Sequence, residues 1–156
     1  MRVHVCAVGR LRAGPELELI RDWLGRFDRT GRALGLGPAT VHEVEDRRGG
    51  GRTAEAALLE RAIPAGAVVA VLDERGRDMS SPEFAAALAR WRDGGRPDAA
   101  FVIGGADGLD PALRARAEVA VSFGRMVWPH MLARVMLAEQ LYRAATILSG
   151  SPYHRV

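Results

Sequence analysis

Apolar and polar positions change their period several times along the chain, and each change marks an element. Residues 1 to 8, MRVHVCAV, alternate as a strand does, and Gly9 ends the run. Pro15 stands where a first helical turn tolerates it, and Ile20, Trp23, Leu24 and Phe27 follow at helical spacing as one apolar stripe. Gly31, Gly35, Gly37 and Pro38 close that helix ahead of a short strand around Thr40 to Val44. The next stretch, EDRRGGGR at 45–52, reads as a mobile surface loop, after which Thr53 is expected to cap a short helix carrying Leu58 and Leu59.

The second half is more regular. AVVAVL at 67–72 and residues 99–103 have no polar face, which suits central strands of a parallel sheet covered on both sides. Ser80, Pro82 and Glu83 spell a capping box that opens a helix with Phe84, Leu88 and Trp91 on one face. Asp110 and Pro111 start another helix, and Val119, Val121 and Phe123 alternate as a last strand. A final helix is expected from His130 to about Leu148. Leu132, Val135 and Met136 lie on one side of it, and Leu137, Leu141 and Leu148 on another, so it needs two partners, one of which could be a second copy of the chain. Strands alternating with helices give an α/β fold with a mainly parallel sheet. At 156 residues the chain is one domain, spanning 1–156, because no segment is long enough for a second core.

Ligands in such folds bind beyond the carboxyl ends of the strands. Three stretches fall there: residues 72–76, 104–108 and 123–129. Composition narrows what they can do. All 22 basic residues are arginine, which excludes a Walker-type phosphate loop and a Schiff-base enzyme, since both need lysine. Cys6 is the one cysteine, so no intramolecular disulfide and no paired-cysteine zinc site can form. His4, His42, His130 and His154 make no HxxxH pair, and no GxSxG occurs, so neither a metal nor a nucleophile elbow is expected. IGGADG at 103–108 has the wrong glycine spacing for a dinucleotide fingerprint, and on their own these glycines read as turn residues first and a ligand cradle second. What remains is a backbone-lined pocket for a cofactor that brings its own reactivity, and S-adenosylmethionine fits that requirement only slightly better than other nucleotides.

Net charge is +3, distributed as ten arginines against seven acids in residues 1–52, six against ten in 53–112, and six against two in 113–156. An acidic middle between basic ends can put a positive rim on one side of a compact domain, which suits RNA, although an unspecialised solvated surface would look the same. No apolar run approaches the about 18 residues of a membrane span, and the alternating start is unlike a signal peptide. A cytoplasmic protein without membrane contact is expected.

LD at 72–73, FVIGGADGL at 101–109, SFGRMVWPH at 122–130, RVMLAEQLYRA at 134–144 and the terminus SPYHRV resemble the ribosomal large-subunit pseudouridine N3-methyltransferases of the SPOUT class. The likeness runs over nearly the whole chain and is weakest at residues 28–56, which leaves the role of the RRGGG loop open. It implies a single-domain SPOUT-type fold with a C-terminal trefoil knot, a homodimer, S-adenosylmethionine as cofactor, and N3 of a pseudouridine in 23S rRNA within the ribosome as acceptor. Carried over by position, it implies that Leu72, Gly104, Phe123, Gly124, Arg125, Met126, Val127 and Trp128 contact the cofactor. A SPOUT methyltransferase acting on tRNA and a non-catalytic RNA-binding assembly factor are the alternatives.

The last helix, through Leu132 and Met136, is expected to form the dimer interface, and Arg134 and Arg143 are expected in surface or intra-dimer ion pairs such as Glu139 with Arg143. Tyr153, His154 and Arg155 are expected to lie across a cofactor pocket, the chain's own or the partner's. There they would position the target nucleotide by stacking, proton transfer and phosphate contact respectively.

Overall fold

In the computed structural model, which describes residues 1–153, five strands alternate with five helices. They are β1 (Arg2–Val8), α1 (Pro15–Gly31), β2 (Ala39–Val44), α2 (Gly51–Ala62), β3 (Val68–Asp78), α3 (Ser81–Asp93), β4 (Asp98–Ile103), α4 (Pro111–Ala115), β5 (Val119–Ser122) and α5 (His130–Ser149). The sheet is wholly parallel, in the order β2-β1-β4-β3-β5. The two all-apolar runs, in β3 and β4, are two of its three inner strands and are covered on both faces. Phe101 and Ile103 of β4 pack with Ile20, Leu24, Leu88, Leu137 and Leu141 on the side of α1, α3 and α5. Ala100 and Val102, one residue out of phase, pack with Leu59 and Leu113 on the side of α2 and α4. Cys6 is buried on this second side, where desolvation pushes its thiol up to about 12 and leaves it unreactive.

Local signals set the helix starts where a side chain can cap them. Ser80 and Glu83 form both halves of the capping box, and Asp110 accepts the Ala112 N–H at 2.8 Å. Elsewhere the structure departs from the pattern. α2 begins at Gly51, so Thr53 lies inside the helix rather than capping it, and the loop before it is held by Asp46, which accepts the backbone N–H of Arg48 at 3.0 Å and of Gly50 at 2.5 Å. β3 runs on to Asp78 through a register shift against β5 between Leu72 and Arg77. The polar stretch DERGRD hid that extension. Gly76 makes it possible, because a Cβ there would sit 2.6 Å from the Ala120 carbonyl oxygen.

α5 finds two partners within its own chain, packing between α1 and α3. Leu137, Ala138, Leu141, Ala144 and Ala145 are all buried, while Met131 and Leu132 stay exposed, next to Met126, Val127 and Trp128. Arg143 pairs with Glu139 at 2.7 Å as its spacing indicates. Arg134 does not lie on the surface: it is 2% exposed and reaches Glu43 and the carbonyls of Val8 and Gly9. A carboxylate and two carbonyls at the end of β1 and in β2, remote in sequence, replace the water that a guanidinium would otherwise need.

At the opposite end of the sheet, buried Asp98 opens β4 and accepts from Arg2 at 2.7 and 2.8 Å and from His4 Nε2 at 2.8 Å, while His4 Nδ1 faces His42 Nε2 at 3.0 Å. Hydrogen bonding from Arg2, aided by His4 and opposed by burial, holds the Asp98 carboxyl at about 2. A depressed carboxylate stabilises the fold in full above its unfolded value near ~4, and that contribution fades as pH falls toward 2. Asp98→Asn is therefore expected to cost about 2 kcal/mol at pH 7, the scale of hydrogen bonds to a charged group. Thermal unfolding should show the gap between the two proteins closing between about pH 4 and pH 2; a gap independent of pH would contradict this account.

Candidate functional site

The three strand ends singled out from sequence enclose one cavity of about 600 Å³. Its walls are residues 72–75 where the pairing of β3 with β4 ends, 103–109 from the last residue of β4 onward, and 121–130 from the end of β5 to the start of α5, without Ser122 and Arg125, together with Ala133. Two buried polar groups set the shape of these loops. The Ser122 hydroxyl accepts the Gly124 N–H at 3.0 Å and lies 3.0 Å from the Gly124 carbonyl and 3.3 Å from that of Glu74, which ties the β5 loop to the β3 bulge. Asp73 accepts the Arg75 N–H at 2.8 Å and pairs with Arg114 Nε at 2.8 Å. Burial pushes the Asp73 carboxyl up, but these partners prevail and hold it below its ordinary value, so it is ionised at neutral pH.

Gly104 opens the central wall. A Cβ there would meet the carbonyl carbon of Gly108 at 2.9 Å, so only glycine lets the 104–109 loop fold back on itself, where Gly108 N–H bonds Gly105 O at 3.1 Å. The result is a wall of main-chain groups. On the far side Trp128 points its Nε1 at the Phe123 carbonyl at 3.4 Å, and Met126 and Val127 stand 71% and 81% exposed at the cavity mouth. Such a lining offers paired backbone donors and acceptors, which match a heterocycle edge, among apolar surfaces that match a ring face and an aliphatic chain.

Of the residues carried over for cofactor contact, Leu72, Gly104, Phe123, Gly124, Met126, Val127 and Trp128 all line this cavity, whereas Arg125 is exposed and outside its lining. Tyr153 is elsewhere. Its ring lies 4.8 Å from Tyr142 and 6.1 Å from Trp23 between centroids, and its hydroxyl donates to Glu139 at 3.1 Å, on the face of α5 and α1 away from the cavity lining. His154 and Arg155 lie outside the described residues. His130 lines the cavity from the first turn of α5, and burial with the nearby Arg134 cation lowers its pKa, so it is neutral at pH 7. Nothing in its spacing announced this; the motif SFGRMVWPH contained it without marking it. Among the described residues no three His, Cys, Asp or Glu side chains converge for a metal, and no helix is long and apolar enough to cross a membrane.

Comparison with known proteins gives these features a setting. A family model described as predicted SPOUT methyltransferase matches residues 1–154. The chain is 73% identical over all 156 residues, and over the full length of the relative, to a Dinoroseobacter shibae protein named ribosomal RNA large subunit methyltransferase H. A Ruegeria pomeroyi protein of the same name is 71% identical, again with full coverage of both chains. Among solved structures, a probable methylase family protein of Haemophilus influenzae superposes with a TM-score of 0.55 at 13% identity, over 99% of this chain and 70% of its own. A probable methyltransferase of Bordetella pertussis gives 0.50 at 20% identity, over 92% and 96%. These two likenesses speak for the fold.

Proposed function

Because the chain belongs to the SPOUT methyltransferase family, we propose that it transfers a methyl group from S-adenosylmethionine to RNA of the large ribosomal subunit, at N3 of a pseudouridine in 23S rRNA. The observation that carries the reading is the full-length identity to relatives named for that RNA, joined to a cavity in which seven of the eight expected contact residues meet.

The site fits the cofactor. Its volume, about 600 Å³, lies within the about 300–1,000 Å³ of small-molecule pockets. The main chain of 104–109 and 123–128 would hold the adenine edge and ribose, with Leu72, Val127 and Trp128 against the apolar faces. When bound, S-adenosylmethionine supplies an electrophilic methyl group, so the protein's share of catalysis is alignment and desolvation. Asp73, kept ionised by Arg75 and Arg114, stiffens one wall. His130, neutral and at the cavity edge, is placed to accept a hydrogen bond from the incoming base. The N3 proton of a pseudouridine is flanked by two carbonyls, so its loss leaves a delocalised nucleophile that needs no metal.

Three further parts belong to this reading. The loop 122–129 and the helix after it form the C-terminal trefoil knot. The exposed Met126, Val127, Trp128, Met131 and Leu132 are covered in a homodimer. Since Tyr153 sits away from its own cavity, the tail serves the pocket of the second copy. The work is done in the cytoplasm, where ribosomes are.

In a strain lacking the gene, mass spectrometry of 23S rRNA is expected to find one pseudouridine without its methyl group, restored by the cloned gene. A full complement of methylated rRNA together with an altered tRNA would move the substrate to tRNA. Absence of S-adenosylmethionine binding by calorimetry would leave an assembly factor without catalysis.

A further inference from the structure

We propose that the two arginine-bearing segments leaving β1 and β2, residues 9–14 and 45–52, the latter running into the first turn of α2, form a preorganised phosphate-binding rim through which the protein docks its RNA beside the cofactor cavity. The inference rests on RNA being the substrate.

The sheet puts these loops next to the site. β1 pairs in parallel with β4, with Ala7 opposite Ile103, so the chain leaving Val8 starts one strand away from Gly104. The contact is close: a Cβ on Gly105 would lie 3.1 Å from Val8 Cγ1. β2 pairs with β1 on the other side, and Gly9 N–H bonds the Val44 carbonyl at 2.7 Å, so the second loop leaves the same end of the sheet. Arg10, Arg12, Arg47, Arg48 and Arg52 are all exposed on the two segments. Only Arg47 has a carboxylate within 4 Å among the described residues, Glu45 at 3.2 Å. The other nearby acid of the second loop, Asp46, is taken up by backbone N–H groups. Arg10, Arg12, Arg48 and Arg52 thus have no carboxylate within 4 Å among the described residues and sit on segments that leave the same end of the sheet, an arrangement that suits a polyanion.

The loops are also held in shape. Buried Arg134 binds the carbonyls of Val8 and of Gly9, the latter at 2.9 Å, and Glu43 at 3.1 Å, and the same Glu43 oxygen accepts the Leu11 N–H at 2.8 Å. The clamp also faces the cavity, since the space a Gly9 Cβ would fill lies 3.7 Å from both Arg134 Nη2 and His130 Nε2. A docked phosphate would thus be registered against the cavity edge through three residues. Phosphate is the fitting partner because arginine's planar fork binds it bidentately. A membrane surface fits less well, because the exposed large apolar side chains are Leu19, Met126, Val127, Trp128, Met131 and Leu132, none of them on either loop.

The test compares the wild-type protein with a variant carrying Arg10→Ala, Arg12→Ala, Arg48→Ala and Arg52→Ala, and with a control carrying Arg61→Ala and Arg90→Ala at the opposite end of the sheet. Binding to isolated large subunits and methyl transfer to them are both measured over a range of salt. The rim variant is expected to bind at least ~30-fold more weakly, with a slope of log K against log salt shallower by about 2 to 3, as loss of three or four phosphate contacts requires. Its S-adenosylmethionine affinity and its kcat at saturating subunits should match wild type, and the control should bind within ~2-fold of wild type. Unchanged binding and slope in the rim variant would overturn the proposal, as would an equal loss in the control. Methyl transfer reports separately on the substrate: a wild-type protein that binds subunits through the rim but methylates none of their RNA would refute the proposed function and leave the rim standing.

Discussion

Deleting residues 153–156 is expected to lower methyl transfer to ribosomes at least ~100-fold, the scale on which positioning and acid–base groups act, while cofactor affinity stays within a few-fold of wild type. The structural cost is small enough to separate from the chemical one. Among the described residues the deletion removes a Tyr153 hydroxyl donating to Glu139 at 3.1 Å, ring contacts with Tyr142 and Trp23, and a guanidinium of Arg143 stacked 5.1 Å from the Tyr153 ring centre. On a half-exposed face these amount to about 1–2 kcal/mol, which leaves the protein folded at assay temperature. Burial and the neighbouring Glu139 raise the Tyr153 pKa, so its phenol is a neutral donor through the physiological range.

Tyr153 therefore anchors the tail on α1 and α5, and in the proposed function it is from this anchor that His154 and Arg155 are delivered to a target nucleotide. Tyr153 is not part of its own chain's cavity lining, and under the proposed function the delivery is to a second copy. That makes a sharper experiment available. A tail-deleted chain mixed with a chain whose cavity is blocked by Gly104→Val should recover activity in the mixed dimer, because one intact cavity then receives one intact tail. No recovery on mixing would assign the tail to its own chain's cavity, and near-normal turnover by the tail-deleted protein alone would return residues 153–156 to an inert end.

Most of what positions the cavity could be read from the chain because it is encoded locally. Ser80 and Glu83 state a helix start within four residues, and the apolar runs of β3 and β4 state burial on both faces without reference to anything distant. The three loops at the strand ends followed from parallel pairing alone. Features made by contacts between remote residues stayed hidden. The extension of β3 depends on Gly76 meeting Ala120, and the shape of the β5 loop on Ser122 meeting Glu74. Neither pair has a local signature. Burial and Arg134 lower the pKa of His130, and Arg75 with Arg114 hold that of Asp73 down against burial, so their part in the site could be seen only once the chain had folded.

Arg134 is the extreme case, and Arg134→Met is expected to be the most destabilising single substitution among those considered, at about 3–5 kcal/mol. In sequence it interrupts an apolar helix face, and an arginine there reads as a surface group, since charged side chains are almost never fully buried unless paired. Here both of its terminal nitrogens are paired and Nε is not, and the acceptors are about 90 or more positions away: Glu43, Val8 and Gly9. Burial lowers its pKa and Glu43 raises it in return, and the guanidinium remains charged at any accessible pH. Methionine fills much of the same space, so the loss is not mainly one of volume. Two carbonyl groups at the end of β1 would be left without their donor, and the half-buried Glu43 without its counter-ion. Glu43→Gln should cost less, about 1–2 kcal/mol, because the amide oxygen still accepts from Arg134 and from the Leu11 N–H. Thermal unfolding of the two variants gives the order directly, with Arg134→Met expected about 10 °C below wild type. If the two substitutions prove equally mild, the buried guanidinium is not what fastens α5 to the end of the sheet, and the link from the first loop to the cavity edge must run through packing alone.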